Sequence, residues 1–309
     1  MTVSLVTGGA GFIGSHIVHQ LVERGDQVKI LDNFSTGKWE NLVLIGDDVE
    51  IIEGDLREAQ QVVHAVKGVD LVFHQAAMVS VPLSMEDPQF CFDVNVKGTL
   101  NLLQAAQIAN VKQVVMASSC AVYGDSDDYP LAETGETMSL SPYAASKKIN
   151  EIYADMYTRT SSMGVSALRY FNVYGPRQAP DSDYAAAIPI FINRLLKGEA
   201  VTIYGDGLQS RDFVFVDDVV RANLLASEAT DASGAVFNVC TGDEITIVDL
   251  MNVLQTILPN TPSPNFDPPR EGDIYRSLGD PGLIGEKLGF EAKTNLSDGL
   301  RQTIKWMRQ

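Results

Sequence analysis

A glycine-rich turn near the N-terminus reads Thr7-Gly8-Gly9-Ala10-Gly11-Phe12-Ile13-Gly14. An apolar, β-branched run precedes it at residues 3–7, and apolar residues spaced by three or four follow it at Ile13, Ile17 and Leu21. This pattern predicts a strand, a tight turn and an amphipathic helix. Glycines in such a turn let the backbone approach a diphosphate at the helix N-terminus, although they also occur where a helix packs closely on a strand. The turn therefore predicts a parallel α/β fold and indicates a dinucleotide site.

Short apolar runs alternate with helical patterns along most of the chain. The predicted strands are residues 3–7, 27–31, 49–52, 71–74, 113–117, 166–170, 214–216 and 236–239. This alternation predicts an α/β fold with a doubly wound parallel sheet that helices cover on both faces. After about residue 174 prolines interrupt the pattern, and a Pro-rich stretch follows at 259–273. We therefore expect a dinucleotide-binding domain formed by 1–174 and about 213–243, and a smaller C-terminal substrate lobe formed by about 175–212 and 244–309.

The composition excludes several classes of protein. The chain has 309 residues, 45% of them hydrophobic, and a net charge of −17, so nucleic acid is not an expected partner. An anionic ligand must therefore be held by a local cluster of positive groups. The three dispersed cysteines, Cys91, Cys120 and Cys240, argue against a disulfide framework or a structural metal site. With no apolar run long enough to cross a membrane and no signal peptide pattern, we expect a cytoplasmic protein.

Acidic residues at the ends of the next two strands bear on the choice of dinucleotide. Asp32 follows the second strand, where a carboxylate can accept both ribose hydroxyls and would repel a 2′-phosphate. Asn33 stands where a basic residue would favour NADP, while Lys38 lies further on and weakens the contrast. NAD is therefore favoured. Asp55, after the third strand, is equally well explained as an adenine contact or as a turn aspartate.

A second group of residues has the chemistry of a proton-transfer site. Tyr143 and Lys147 are four positions apart, so on a helix they share one face. An ammonium beside a phenol favours the phenolate, and a bound nicotinamide cation would add to this effect. The pattern alone is common on helix surfaces. Ser118 and Ser119 strengthen it, because they end a predicted strand at the sheet edge where open α/β folds bind ligands.

Six motifs in this order resemble the extended short-chain dehydrogenase/reductase family over essentially the whole chain. They are TGGAGFIG at 7–14, GDL at 54–56, HQAA at 74–77, SSCAVYG at 118–124, YAASK at 143–147 and RYFNVYGPR at 169–177. The resemblance implies a Rossmann-type domain with a C-terminal substrate lobe, a permanently held NAD, and Ser119, Tyr143 and Lys147 as the catalytic residues. The cofactor contacts that it implies are Gly8, Gly11, Phe12, Ile13, Gly14, Asp32, Asn33, Ser35, Thr36, Gly37, Asp55, Leu56, Gln75, Ala76, Ala77, Asn95, Ser118, Tyr143, Lys147 and Tyr170. Asn95 is equally explained by a structural role.

One position within the family pattern narrows the reaction. Dehydratases and decarboxylases of the family carry an acidic residue in the segment after the catalytic serine, where this chain has Ala121. Alanine cannot transfer protons, so removal and return of a hydride remain. The chain therefore resembles the UDP-hexose 4-epimerases, which interconvert UDP-glucose and UDP-galactose through a transient 4-keto sugar.

The resemblance also implies a UDP-sugar site. Its predicted residues are Ser80, Ser119, Tyr143, Asn172, Ile188, Pro189, Tyr204, Arg211, Arg270 and Ser277. Arg211 and Arg270 are expected to grip the diphosphate, although ordinary surface ion pairing also explains a lone arginine. Glucose-restricted epimerases carry a tyrosine at the position of Ser277. A serine there predicts activity on UDP-N-acetylglucosamine and UDP-N-acetylgalactosamine as well.

Several alternatives stay open at this point. A UDP-glucuronate 4-epimerase could use Arg276 to bind a carboxylate, although we expect this side chain to face away. A net NAD-dependent nucleotide-sugar oxidoreductase and a non-catalytic, cofactor-bound module are the others. Cys120 is not expected to be a nucleophile, and His74 is expected to be a strand-end residue. The family implies a homodimer through helices around 90–109 and 143–161, although Leu100, Leu102 and Leu103 there are equally explained as core residues.

Overall fold

The computed structural model describes residues 1–43, 49–180, 186–229, 233–269 and 274–309. Its strands are β1 (Val3–Thr7), β2 (Gln27–Asp32), β3 (Val49–Glu53), β4 (Leu71–His74), β5 (Gln113–Ser119), β6 (Gly164–Tyr170), β7 (Asn172–Tyr174), β8 (Thr202–Tyr204), β9 (Ser210–Arg211), β10 (Phe213–Phe215), β11 (Val236–Val239), β12 (Ile245–Thr246) and β13 (Asn265–Asp267). Its helices are α1 (Phe12–Arg24), α2 (Ala59–Ala65), α3 (Val81–Glu86), α4 (Pro88–Phe92), α5 (Gly98–Ile108), α6 (Pro142–Thr160), α7 (Ala187–Leu196), α8 (Val216–Glu228), α9 (Ile247–Ile257), α10 (Gly282–Leu288) and α11 (Leu296–Met307).

Seven of these strands form one parallel sheet in the order β11-β6-β5-β4-β1-β2-β3. Apolar side chains from α1, α8 and α10, among them Ile17 and Val219, pack on one face. Side chains from α2, α5 and α6, among them Leu102 and Ala154, pack on the other. The strand order reverses between β1 and β4, which places a ligand crevice at the carboxyl ends of those strands. The predicted doubly wound sheet is confirmed.

A second core lies beside the sheet domain. Apolar side chains of α7, α9 and α11 bury one another there, with Phe191, Leu250 and Leu300 at its centre. Three short two-stranded pairs, β10 with β7, β12 with β9 and β13 with β8, lie outside the main sheet. The lobe contains the segments that the sequence assigned to substrate binding.

Two details of the sequence prediction differ from the structure. The strand predicted at 214–216 ends at Phe215 and pairs with β7 outside the main sheet. Val216 instead begins α8, because Asp217 and Asp218 in the first turn favour a helix N-terminus. Helix α10, predicted to belong to the substrate lobe, contributes Ile284 and Leu288 to the core of the sheet domain. The proposed domain boundaries therefore differ from the packing at this helix.

The segments expected at a dimer contact are partly core. Leu102 and Leu103 are fully buried, so the core explanation is the correct one for both. Within the described part of the chain, none of the helices combines the length and apolar character that crossing a membrane requires.

Candidate active site

The glycine turn between β1 and α1 has the shape that a bound dinucleotide needs. Gly8 has φ +68°, and a Cβ there would lie 2.7 Å from the backbone nitrogen of Ala76. A Cβ on Gly14 would overlap the Gly8 carbonyl oxygen. No side chain caps the N-terminus of α1 at Gly11, so the first N–H groups of Phe12 and its neighbours are free of side-chain caps. A diphosphate is the ligand that this uncapped, closely approachable helix end accommodates.

Asp32 lies where β2 ends, beside the glycine turn. Its carboxylate accepts hydrogen bonds from Ala10 N at 2.9 Å and Phe34 N at 2.8 Å. Burial raises the pKa of Asp32, and the two hydrogen bonds offset part of that effect. A carboxylate has about four acceptor positions, so two are left for ribose hydroxyls. Gly37 packs closely against Ala10 and the Asp32 carboxylate, since a Cβ there would lie 2.8 Å from Ala10 Cβ and 3.0 Å from Asp32 Oδ1.

The loops after β2 and β3 meet at the same sheet edge. Ser35 N donates to Asn33 Oδ1 at 3.0 Å, and Thr36 follows in the same loop. Asp55 lies two residues beyond β3 rather than at its end, and Leu56 after it is buried. Cofactor contacts from these residues remain predictions.

Side chains predicted to line the nicotinamide half are already engaged with one another. Gln75 Nε2 donates to the Tyr170 hydroxyl at 3.1 Å, and that hydroxyl also contacts Asn223. Asn95 holds the backbone of Met78 through two hydrogen bonds of 2.8 and 2.9 Å, which is the structural role considered for it. Ala76 and Ala77 lie half-buried at the end of β4, beside the glycine turn. This group shapes the crevice, and its contacts with the cofactor remain predictions.

The three predicted catalytic residues lie together at the end of β5. Pro142 and a Ser141 cap, whose Oγ accepts from Ala144 N at 3.1 Å, begin α6 just before Tyr143. Lys147 Nζ lies 5.8 Å from the centre of the Tyr143 ring and donates to the Ala117 carbonyl at 2.9 Å. Ser119 forms a hydrogen bond with Tyr143. The structure thus joins hydroxyl, phenol and ammonium in one place.

The pKa directions correct one expectation from the sequence. Burial raises the pKa of Tyr143 to about 12, although the Ser119 hydrogen bond acts against this. Burial lowers the pKa of Lys147 to about 8. The ammonium is directed at the Ala117 carbonyl, so the chain's own lysine does not make the phenol acidic. Acidity near neutral pH therefore requires a further positive charge, which an oxidised nicotinamide ring carries.

Two neighbouring groups have structural roles. His74 bridges Thr7 and Thr99 through ring nitrogen contacts of 2.7 and 2.9 Å, and burial lowers its pKa to about 3. It is the strand-end residue that was expected. Burial raises the pKa of Cys120 to about 11, so its thiol is a poor nucleophile.

Two of the predicted substrate residues, Arg211 and Ser277, lie near Cys120 at the end of β5. Arg211 is half-buried, and its charge opposes the rise in pKa that burial causes at both Cys120 and Tyr129. Ser277 is buried and forms a hydrogen bond with the thiol of Cys120, the residue that follows Ser119. Ser80 Oγ caps α3 by accepting from Leu83 N at 3.1 Å. The position predicted to set sugar size therefore contacts the residue that follows the predicted catalytic serine.

Other predicted substrate residues lie elsewhere. Tyr204 lines a cavity of about 530 Å³ together with Gln209 and Tyr275. The Ile188 side chain is buried in the core of the lobe, and Pro189, the next residue of α7, is buried as well. Arg270 lies outside the described residues. The apolar face of α7 that carries Ile188 contributes to the core of the lobe, and contact of Ile188 and Pro189 with uracil stays a prediction.

The sequence did not reveal a buried charge network that joins β5, α6 and β6. Arg169 and Glu151 form a two-fold hydrogen-bonded pair at 2.8 Å, and both are almost fully buried. Ser118, predicted as a cofactor contact, donates its hydroxyl to Glu151 at 2.7 Å instead of facing the crevice. The Arg169 guanidinium also lies 4.6 Å from the centre of the Tyr123 ring. Arg169 was visible in the RYFNVYGPR motif, but no local spacing reveals its partner.

Comparison with known proteins agrees with this geometry. Residues 4–240 match the model of the NAD dependent epimerase/dehydratase family. The chain belongs to this family of extended short-chain dehydrogenases/reductases, and its cofactor is NAD. Among its relatives is a UDP-glucose 4-epimerase of Mycolicibacterium smegmatis, 39% identical in an alignment that covers 99% of this chain and 98% of the relative.

Two solved structures share the whole fold. A UDP-N-acetylglucosamine 4-epimerase from Methanobrevibacter ruminantium M1, in complex with UDP-N-acetylmuramic acid, has a TM-score of 0.95 and 40% identity over 99% of this chain and 98% of its own. A UDP-glucose 4-epimerase from Thermotoga maritima, with UDP-glucose, has a TM-score of 0.94 and 39% identity over 99% of both chains. These two similar proteins are named for different sugars.

Proposed function

We propose that the protein is an NAD-dependent UDP-hexose 4-epimerase that interconverts UDP-glucose and UDP-galactose through a transient 4-keto sugar. The observation that carries the proposal is the grouping of Ser119, Tyr143 and Lys147, with Ala121 in the turn directly after the serine. Ala121 has no proton to give, so this turn lacks the acid that elimination or decarboxylation requires. The site is equipped for oxidation and reduction at a single carbon.

The chain's own groups divide the work of the reaction. Tyr143 takes the proton of the sugar 4-hydroxyl and later returns it, while Ser119 holds the same oxygen by a hydrogen bond. Lys147, one helical turn beyond the tyrosine, supplies an ammonium group that orients the nicotinamide ribose. Bound NAD would supply a reversible hydride acceptor for C4, which leaves the proton of the 4-hydroxyl to Tyr143. Because no net oxidation takes place, the cofactor has no need to leave.

UDP and the hexose make different demands on the site. Between the two hydride transfers the hexose ring must rotate, so that its opposite face meets the nicotinamide. The nucleotide therefore has to be held firmly and the sugar loosely. Arg211 is the described arginine that we assign to the diphosphate, since it lies near Cys120 at the end of the catalytic strand. Asn172 on β7 and Tyr204 at the cavity are assigned to the diphosphate-sugar and to uracil stacking. Arg270 is assigned to the diphosphate by its motif alone.

Substrate breadth depends on Ser277. Its side chain is small and meets Cys120 next to Ser119, which leaves room for an N-acetyl group at C2 of the hexose. We therefore extend the proposal to UDP-N-acetylglucosamine and UDP-N-acetylgalactosamine. The similarity to a UDP-N-acetylglucosamine 4-epimerase supports this extension.

The glucuronate alternative receives no support from its predicted contact. Arg276 donates two hydrogen bonds to Glu244, at 2.8 and 2.7 Å, and its guanidinium lies 4.6 Å from the centre of the Tyr129 ring. A paired arginine is a poor receptor for a second carboxylate. The engagement of Arg276 with Glu244 and Tyr129 supports the expectation that it does not contact the sugar.

A homodimer is part of the same proposal. Phe92 on α4 and Ile152 and Met156 on α6 are 48%, 60% and 40% exposed, respectively, and form the apolar surface that a partner copy would cover. Sedimentation of the wild-type chain should give twice the monomer mass, and Ile152→Glu should give a monomer. A wild-type chain that sediments as a monomer at micromolar concentration would contradict this assignment.

A panel of UDP-sugars tests the function. Incubation without added cofactor should convert UDP-galactose to UDP-glucose, and UDP-N-acetylgalactosamine to UDP-N-acetylglucosamine, with inversion at C4 only. A net oxidoreductase would consume added NAD in proportion to product. A cofactor-bound module would leave every UDP-sugar unchanged.

A further inference from the structure

Asp55, the residue expected to meet adenine, belongs to a small cluster at the carboxyl edge of the sheet. Strands β2 and β3 are parallel neighbours, with Asp32 opposite Glu53. The loops that leave them therefore run side by side, and Asn33 Nδ2 donates to Asp55 Oδ2 at 2.9 Å. An amide NH₂ and the exocyclic amino group of adenine are donors of the same kind. The Asn33 hydrogen bond thus marks a direction from which adenine could approach this carboxylate.

Arg57 supplies the other hydrogen bonds of that carboxylate. Its Nε donates to Asp55 Oδ1 at 2.9 Å, its Nη2 to Oδ2 at 2.8 Å, and its backbone nitrogen to Oδ1 at 2.9 Å. Hydrogen bonding with Arg57 is the largest cause that holds the pKa of Asp55 well below its usual range. A planar guanidinium that binds both oxygens fixes the plane of the carboxylate as well as its charge.

The arginine itself is held from two sides. Its guanidinium carbon lies 5.4 Å from the centre of the Phe90 ring on α4. Asn101 on α5 donates to the Leu56 carbonyl at 2.9 Å, which fastens the loop that carries both charged residues. The Arg57 side chain is 39% exposed and that of Asp55 is 19% exposed, and an ion pair so near to solvent contributes little to folding stability. Its geometry is better suited to orienting a group than to stabilising the fold.

We propose that Arg57 is a positioning residue of the cofactor site, which holds the Asp55 carboxylate so that one oxygen accepts a hydrogen bond from the amino group of adenine. Adenine takes the acceptor direction that Asn33 occupies, while Arg57 keeps its grip on both oxygens. The chain thereby selects adenine over a base with an oxygen at the same position, because two oxygen acceptors would repel each other.

The test uses the full chain and measures bound nucleotide, so it does not depend on which sugar the protein acts on. The protein is equilibrated with an equimolar excess of NAD and nicotinamide hypoxanthine dinucleotide, which has a carbonyl oxygen in place of the amino group. Nucleotides that remain bound after gel filtration are then quantified. We expect the wild type to prefer NAD by at least about tenfold, as for a site that hydrogen-bonds the discriminating group.

Substitution of Arg57 should change that preference. In Arg57→Gln the ratio of bound NAD to bound hypoxanthine dinucleotide should fall at least about fivefold, because the Asp55 carboxylate loses the two guanidinium hydrogen bonds that orient it. Arg57→Lys keeps the positive charge but cannot bind both carboxylate oxygens in one plane, so its ratio should lie between those of the wild type and Arg57→Gln. This variant provides the test if Arg57→Gln does not fold. The control is Arg159→Gln, which removes an exposed arginine paired with Asp155 and should keep the wild-type ratio.

Three results would overturn the proposal. They are a wild type with no preference between the two dinucleotides, Arg57 variants that weaken both dinucleotides equally, and Arg57 variants that keep the wild-type ratio. The second is the result of a purely structural arginine. A failure of the epimerase proposal would leave the ratio untouched, because no sugar takes part in this measurement.

Discussion

The main-chain oxygen of Asp212 accepts hydrogen bonds from both the backbone and the side-chain nitrogen of Asn172, each at 3.0 Å. The Asp212 backbone nitrogen donates to the Ser277 carbonyl at 2.8 Å, and Arg211 precedes it in the chain. The fully buried Asp212 thus fixes the positions of Asn172, Arg211 and Ser277, three residues assigned to the UDP-sugar. Its carboxylate in turn accepts hydrogen bonds from Thr241 N at 2.8 Å and Thr241 Oγ1 at 2.7 Å.

Asp212→Asn should loosen the substrate site while the cofactor stays bound. An amide turns a donor toward the Thr241 and Gly242 donors, so buried partners are left unsatisfied, at about 1–3 kcal/mol of unfolding free energy. We expect at least about a tenfold rise in KM for the UDP-sugar, corresponding to 1.4 kcal/mol, with unchanged NAD content. Steady-state kinetics measures KM, and denaturant unfolding measures the unfolding free energy. Asp243→Asn, at an exposed neighbouring position, is the control, and an unchanged KM in Asp212→Asn would contradict the role.

Tyr143→Phe should abolish most turnover without loss of NAD. The phenol is the only group of the proposed mechanism that moves the 4-hydroxyl proton, and removal of a general base costs at least about a hundredfold. Turnover and bound NAD should be measured together. Tyr153→Phe, on the same helix, is the matched control and should keep wild-type turnover. A Tyr143→Phe enzyme with near-normal turnover would show that another group carries the proton.

Ser277→Tyr should restrict the substrate range. A tyrosine beside Cys120 fills the space that we assign to the N-acetyl group, so activity on UDP-N-acetylglucosamine should fall at least about tenfold relative to UDP-glucose, the scale of a steric pocket contact. Ser277→Ala, which keeps the position small, should retain both activities. Equal losses on the two substrates in Ser277→Tyr would mean that the residue supports the fold rather than the selection of sugar.

The buried Lys147 should make the stability of the wild type depend on pH. Burial lowers its pKa from 10.5 to about 8, so between these values the unfolded chain binds more protons than the folded chain. Stability contributed by this site therefore rises with pH through that window, and its penalty is greatest below pH 8. Lys147→Met has no such group. The unfolding free energy of Lys147→Met minus that of the wild type should therefore decrease as the pH rises from 8 to 10.5, because only the wild type gains stability from this site. A difference that stays constant across that range would contradict the burial effect.

Much of the sheet could be predicted because parallel strands buried on both faces have a simple sequence signature. The strands at 3–7, 71–74 and 236–239 were predicted with their observed bounds. The one beginning at Val214 was misplaced, because a short apolar run beside acidic residues fits a strand or the start of a helix equally well. The grouping of Ser119, Tyr143 and Lys147 could be predicted, because Tyr143 and Lys147 are four positions apart on one helix and Ser119 ends a strand.

Residues that depend on distant partners could not be found in this way. Asp212 joins segments that are 29 to 67 positions away, and its role is visible only once the residues after β11 and Gly279 pack against it. Arg57 was passed over because an arginine two positions after an aspartate is an ordinary turn pattern. The acidity of Tyr143 was misjudged for a related reason: helical spacing places Lys147 on the same face but does not reveal that its ammonium is directed at Ala117.

The fate of the hydrogen at C4 tests the central claim most directly. UDP-glucose deuterated at C4 should be converted, without added cofactor, to UDP-galactose that retains the deuterium at C4, because the hydride is removed and returned within one closed site. Mass spectrometry and NMR of the product measure the retention. Loss of the label to solvent, or transfer of the label with no inversion at C4, would contradict the account.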